Sequence, residues 1–195
     1  MKNMIAATFC LAALCGCDPN ASMKAAEQAK AQQAAAAEAK NKAEQEKTEA
    51  DAKAHFNQAF SYIGSAKATT KADEKERLFL NAEKEFTNAL DKKPDYVDAL
   101  LNRGVLYIAI GKANKAEEDL KKAVALDGSN AAIHYNLACL YSLTNKVDLA
   151  TDSLDSALKN GFNDYDRLRS DPDLKNLRAS KEFKQVLEKH KVFIK

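Results

Sequence analysis

A pattern that returns after 34 residues constrains this chain more than any other feature of its sequence. From Val97 onward, Leu100, Gly104, Tyr107, Ala116, Leu120 and Ala123 stand at fixed intervals. One period later the same positions hold His134, Ala138, Tyr141, Ala150, Leu154 and Ala157. Small residues recur where helices must approach closely, and Tyr and Leu recur where gaps must be filled. Only His134, opposite Leu100, breaks the likeness. A fixed period of this size marks a stack of helical units, each burying its apolar face on the next.

Composition agrees with an all-α fold. Six Gly and three Pro punctuate long runs of helix formers, among them Gly64, Pro94, Gly111, Gly128, Gly161 and Pro172. Alternating β-branched runs joined by hairpin dipeptides are missing. Thirty Lys and Arg against 28 Asp and Glu leave a nearly balanced field, so no nucleic-acid partner is expected. Three of the four cysteines (Cys10, Cys15 and Cys17) fall at the N-terminus and only Cys139 lies in the body, which excludes an intrachain structural disulfide there.

The first residues read as an address. A charged start at Lys2 precedes an apolar run from Met4 to Leu14, too short to cross a bilayer as a helix. Leu14-Cys15-Gly16-Cys17 follows, and this resembles the bacterial lipobox. The resemblance implies a signal peptide over residues 1–16, cleavage before Cys17, a diacylglycerol on the Cys17 sulfur and a lipidated anchor over 17–20. The chain is then a palmitate-bearing lipoprotein facing the periplasm in a bacterial cell envelope. Asp18 resembles an inner-membrane retention signal. Residues 21–53 are mostly Ala, Lys, Glu and Gln without Gly or Pro, so a helix is expected. Glu38 with Lys42 and Glu49 with Lys53 are spaced as favourable i,i+4 pairs. The segment reads as a stalk of roughly 50 Å. An oligomerising helix with an Ala-based coiled-coil seam and a disordered tether are the alternatives, and the oligomeric state stays open.

With these residues in view, the body resembles a tetratricopeptide repeat (TPR) protein. In the family's 34-position numbering, which starts at Val97 and at Ala131 here, small residues stand at positions 8, 20 and 27, Tyr or another large residue at 11, and often Pro at 32. Residues 97–130 and 131–164 fit as two units, and residues 54–94 form an earlier one through Ala59, Tyr62, Ala82, Phe86, Ala89 and Pro94. About eleven extra residues separate Tyr62 from Ala82. Residues 165–195 leave the repeat, and the stretch from Ser170 to Arg178 resembles the terminal segment after some bacterial arrays, implying capping helices. The expected fold is thus a short TPR superhelix of about three helix-turn-helix units, with an N-terminal Ala-rich helix and a C-terminal helical cap.

The resemblance also implies where a ligand would lie. In the family the first helix of each unit lines a groove through positions 5, 6 and 9. Here these are Phe56, Asn57 and Phe60, then Leu101, Asn102 and Val105, then Tyr135, Asn136 and Cys139. Asn recurs at position 6, and a row of side-chain amides could pair with an extended peptide backbone. Packing between helices is the plainer role for the same residues. The cationic clamp some members use for a C-terminal carboxylate is missing, since those positions hold Phe56, Phe60, Asn102, Ala132 and Asn136. An amphipathic helix or an extended peptide of another protein is the expected guest. His55, His134 and His190 are scattered, no phosphate loop or nucleophile elbow occurs, and Cys139 reads as a small packing residue. No cofactor, metal site, catalytic residue or enzymatic activity is expected. The function read from the sequence is a membrane-anchored envelope scaffold for protein–protein interaction. Its alternative is a structural envelope lipoprotein that self-associates through the Ala-rich helix.

Overall fold

A computed structural model describes residues 20–193. The lipobox, Cys17, Asp18 and the apolar run before them lie outside the described residues, and so do Ile194 and Lys195. Helix α1 spans Ala21–Ala68 and α2 spans Ala72–Lys92. They are followed by α3 (Val97–Ala109), α4 (Ala113–Leu126), α5 (Ala131–Leu143) and α6 (Val147–Lys159). The chain ends with α7 (Tyr165–Ser170), a 3-10 turn (Pro172–Leu174), α8 (Lys175–Arg178) and α9 (Lys181–Lys189). No strand occurs among the described residues.

The chain divides into two units, one reaching Lys47 and a compact one from Thr48 onward. In the first, nearly every described side chain of α1 is exposed, and Lys42 pairs with Glu46 at 4.0 Å. The sequence spacing pairs Lys42 with Glu38 instead. Glu49, expected to pair with Lys53, accepts a hydrogen bond from Lys93 at 2.9 Å. A tertiary partner outcompetes the local one. The boundary placed by sequence at residue 53 falls inside a continuous helix.

The compact unit is built from three helix hairpins. Positions 20, 24 and 27 hold Ala82, Phe86 and Ala89, then Ala116, Leu120 and Ala123, then Ala150, Leu154 and Ala157, and all nine are fully buried. The close approach these small residues permit is clearest at Gly104, where a Cβ would lie 2.9 Å from the Leu120 Cγ. Helix ends are set by one repeated device. Gly111 (φ 73) and Asn145 (φ 57) occupy position 15 of their units in the left-handed region, which Gly and Asn tolerate best. The next amide then bonds back to close the helix, from Lys112 N to Tyr107 O and from Lys146 N to Tyr141 O, both at 2.8 Å.

The eleven extra residues of the first unit are helical, since they carry α1 to Ala68 and start α2 at Ala72. His134, the residue that breaks the repeat, turns its Nε2 to the Gly128 carbonyl at 2.9 Å. A polar side chain is satisfied there by the turn that precedes its own helix.

A polar joint also repeats with the 34-residue period. Glu83 accepts from the Tyr107 hydroxyl (3.1 Å), Lys112 (2.6 Å) and Lys115 (3.2 Å). Glu117 accepts from the Tyr141 hydroxyl (3.1 Å) and pairs with Lys146 (3.1 Å) and Lys121 (2.7 Å). Glu at position 21 of one unit thus binds Tyr at 11 and Lys at 16 of the next. The bond from Lys121 draws the Glu117 carboxyl down to about 2, against the opposing effect of its burial. Burial works upward on Glu83 as well, yet the bonds from Lys112, Lys115 and Tyr107 leave it lowered.

Candidate functional site

Helices α1, α3 and α5 carry the nine residues that the repeat alignment assigns to the inner face. They do not share one environment. At position 9, Phe60 is 43% exposed and Val105 37%, but Cys139 is 3% exposed. At position 5, Phe56 and Leu101 are half-buried while Tyr135 is 2% exposed. The face is therefore open on α1 and α3 and closed on α5. Tyr135 and Cys139 do not line an accessible groove.

On α1, aromatic contacts fix the open residues. Phe56 meets Phe60 edge-on at 5.0 Å between centroids, and it also touches Phe86 at 5.8 Å and Tyr96 at 5.1 Å. Phe60 stands edge-on to Phe86 at 5.9 Å and keeps its outer surface in solvent. A pre-set aromatic platform results, and ring pairs in these orientations favour it by about 0.5–1.5 kcal/mol each. The amides beside it are only partly free. Asn102 donates to the Asp98 carbonyl and Asn136 to the Ala132 carbonyl, each at 2.7 Å and within its own helix. Asn57 is exposed. One N–H of each bonded amide is thus occupied, which leaves the carbonyl oxygens as the natural acceptors for a guest.

What closes the face on α5 is the chain's own C-terminal segment. The Tyr135 hydroxyl donates to Asp171 Oδ2 at 2.6 Å, and its ring stacks on Phe162 at 4.3 Å with 7° between planes. Asn176 Nδ2 donates to the Ser142 carbonyl at 2.9 Å, and the Leu177 amide donates to Ser142 Oγ at 3.2 Å. Leu168, Leu174 and Leu177 are fully buried beneath. Pro172 opens the 3-10 turn with Asp171 as its cap, a preferred place for Pro because its missing N–H has no partner to lose. Burial pushes the Cys139 thiol up to about 12 and raises the Tyr135 hydroxyl well above its ordinary value. Burial, with the charge of Asp171, also raises the Asp173 carboxyl. Cys139 is a packing residue here, inert as a thiolate.

Two features escape the position-by-position reading. Arg103 grips Asp119 through Nε at 2.7 Å and Nη2 at 2.9 Å, and its Nη1 donates to Thr87 Oγ1 at 3.0 Å. Asp119 is 2% exposed, so this two-pronged ion pair is a buried tie between the two helices of the second unit, and the bond to Thr87 reaches back to the first. The corresponding positions of the third unit are Leu137 and Ser153, which a purely chemical comparison of the units would have flagged. The second feature is a cleft of about 380 Å³ beside the lengthened start of α2, lined by Phe79, Leu80, Ala109 and Ile110 with Lys75, Glu76 and Lys112.

No group of His, Cys, Asp and Glu among the described residues is arranged to hold a metal ion. No described helix is long and apolar enough to cross a membrane.

No family model matches the chain. Among solved structures, a thermophilic TPR protein of Thermus thermophilus superposes with a TM-score of 0.55 at 26% identity, covering 62% of each chain. Among curated proteins, a chloroplastic protein of Arabidopsis thaliana is 39% identical over 87 residues, 42% of this chain. The mouse protein O-mannosyl-transferase TMTC3 is 38% identical over 60 residues, 31% of this chain. The matched stretches are 26% and 6% of those two proteins' own lengths, so the likeness concerns a part of each. The hairpins, their buried small positions and the structural neighbour give the body the fold of a tetratricopeptide-repeat array.

Proposed function

We propose that this chain is a lipid-anchored bacterial envelope protein that holds a partner protein on the inner face of α1 and α3. One observation carries the binding role: Phe60 and Val105 stay exposed at equivalent positions of successive units, on a face that packing and the cap close elsewhere. Apolar side chains held out on a rigid scaffold, with amide oxygens beside them, suit a short amphipathic helix or an extended peptide. No charged side chain is part of this set, so the guest is held by apolar contact and backbone pairing, and binding should respond little to salt.

The anchor rests on the lipobox-like Leu14-Cys15-Gly16-Cys17, which would place a diacylglycerol on Cys17. Acylation of that kind anchors stably when more than one chain is attached. The Ala-rich residues after it would hold the array off the membrane, in the periplasm, with Asp18 favouring the inner membrane. The role is binding rather than catalysis. The transferase activity named for the mouse relative belongs to a protein of which the match covers 6%.

Two experiments test the reading separately. Labelled palmitate should enter the wild-type chain and be lost in Cys17→Ser; label retained in that variant removes the anchor. Partners co-purifying from crosslinked membranes should be lost with Phe60→Ala and Val105→Ala but kept with Lys122→Ala on an exposed position of α4. Partners indifferent to both inner-face changes would remove the face from the mechanism.

A further inference from the structure

The C-terminal end of the array differs from the rest of the molecule in charge. From Lys175 to Phe193 there are six basic side chains and two acidic ones, a balance of +4 against +2 for the whole sequence. The remainder therefore sums to −2. Some of these cations are already committed. Arg178 donates to the carbonyls of Leu168 and Asp171, Lys189 pairs with Asp155 at 2.6 Å, and Lys181 stands 3.9 Å from Glu182. Lys175, Lys184 and Lys191 are exposed and make no ion pair among the described residues.

Helix α9 presents its two faces unequally. Phe183, Val186 and Leu187 are buried against the array, while Lys181, Lys184, Gln185 and Glu188 form the outward stripe. Beyond it Lys191 takes the left-handed conformation (φ 55), and the Val192 amide bonds back to the Leu187 carbonyl at 2.9 Å. The turn tucks Val192 in at 7% exposure and leaves Phe193 out at 87%. Phe193 is the most exposed large apolar residue among those described.

We propose that this end of the array docks on an anionic phospholipid surface. Lys175, Lys184 and Lys191 meet the headgroup phosphates, and Phe193 enters the boundary between headgroups and acyl chains. Unpaired lysines attract anionic lipid and can lay their methylene stems along an apolar surface while the ammonium stays wet. An aromatic ring left in water beside them gains by burial in that boundary. A nucleic acid would be gripped best by free Arg forks, and Arg178 is committed to carbonyls. The surface is separate from the inner face of α1 and α3, and it needs no acyl group on Cys17.

The chain has no Trp, so Phe193→Trp gives a single reporter at the proposed point of entry. In the full chain, with Cys17→Ser so that no acyl group contributes, its emission should shift to the blue on adding phosphatidylcholine vesicles containing phosphatidylglycerol. Pure phosphatidylcholine should leave it unchanged, and salt should reverse the shift. Lys175→Gln, Lys184→Gln and Lys191→Gln together should weaken the preference for anionic vesicles roughly a hundredfold, at about fivefold for each cation. Any apolar N-terminal contribution is common to both variants and to both kinds of vesicle. An unshifted reporter on anionic vesicles overturns the proposal. So does an equal shift on both vesicle types, or a shift with duplex DNA but not with vesicles.

Discussion

The inner faces of α3 and α5 come from the same repeat positions and meet opposite fates. On α3, Val105 stands out to solvent and Leu101 is half-buried. On α5, Cys139 and Tyr135 at the same positions are buried under a segment that repeats nothing. A following repeat leaves position 9 accessible, as α3 and α5 leave Phe60 and Val105. The cap reaches farther, because its 3-10 turn brings Asp171 to the Tyr135 hydroxyl and α8 lays Leu177 on Ser142. An array of three units therefore offers the recognition face of only two. Repeat number alone overstates a groove when the last unit is occupied by its own chain.

The largest effect should come from removing what closes α5. Leu177→Ala deletes a fully buried side chain at the cap's centre and should cost about 2–5 kcal/mol in denaturant unfolding. A loss near zero would mean that the cap is not seated. Next come the joints. Glu117→Gln and Glu83→Gln each weaken charge-assisted bonds and should cost about 1.5–3 kcal/mol at neutral pH. The Glu117 carboxyl titrates at about 2 when folded, against an ordinary 4.5. Its contribution is complete above the higher value and is lost as pH falls through the lower one, because the unfolded chain takes up the proton first. Acid titration of Glu117→Gln should therefore show a flatter loss of stability across this window, and an unchanged slope would place the acid sensitivity elsewhere. The smallest effect belongs to the third unit, where position 21 is Thr151 and its hydroxyl donates to the Val147 carbonyl of its own helix. Thr151→Ala should stay within about 0.5 kcal/mol. A cost equal to that of Glu117→Gln would erase the distinction between internal joint and terminal cap.

Much of this architecture was legible in the sequence because small residues at a fixed period leave the helices one way to pack. Ala116, Leu120, Ala123, Ala150, Leu154 and Ala157 all reach the core, and the repeat ends where α7 begins at Tyr165. The joint was legible too, though unread. Glu83 and Glu117, Tyr107 and Tyr141, Lys112 and Lys146 are each one period apart, and Thr151 marks the unit on which no further repeat stacks. The burial of Tyr135 and Cys139 was not legible. A position in a repeat states which way a side chain points, and the cap that meets it is a non-repeating segment about 30 residues farther along. Glu49 teaches the same lesson, since its local partner Lys53 loses to Lys93 at the end of α2.

The central claim is that one repeat position is open on α3 and shut on α5, and thiol reactivity reads it directly. In a chain with Cys10, Cys15 and Cys17 replaced by Ser, Cys139 can be compared with a variant carrying Val105→Cys and Cys139→Ala. The thiol at position 105 should react with a small disulfide reagent at the rate of a free surface cysteine. Cys139, buried and with its thiol raised to about 12, should react at least about a hundredfold more slowly until denaturant unfolds the chain. Equal rates under native conditions would contradict the account, because the cap would then leave the inner face of α5 as open as that of α3.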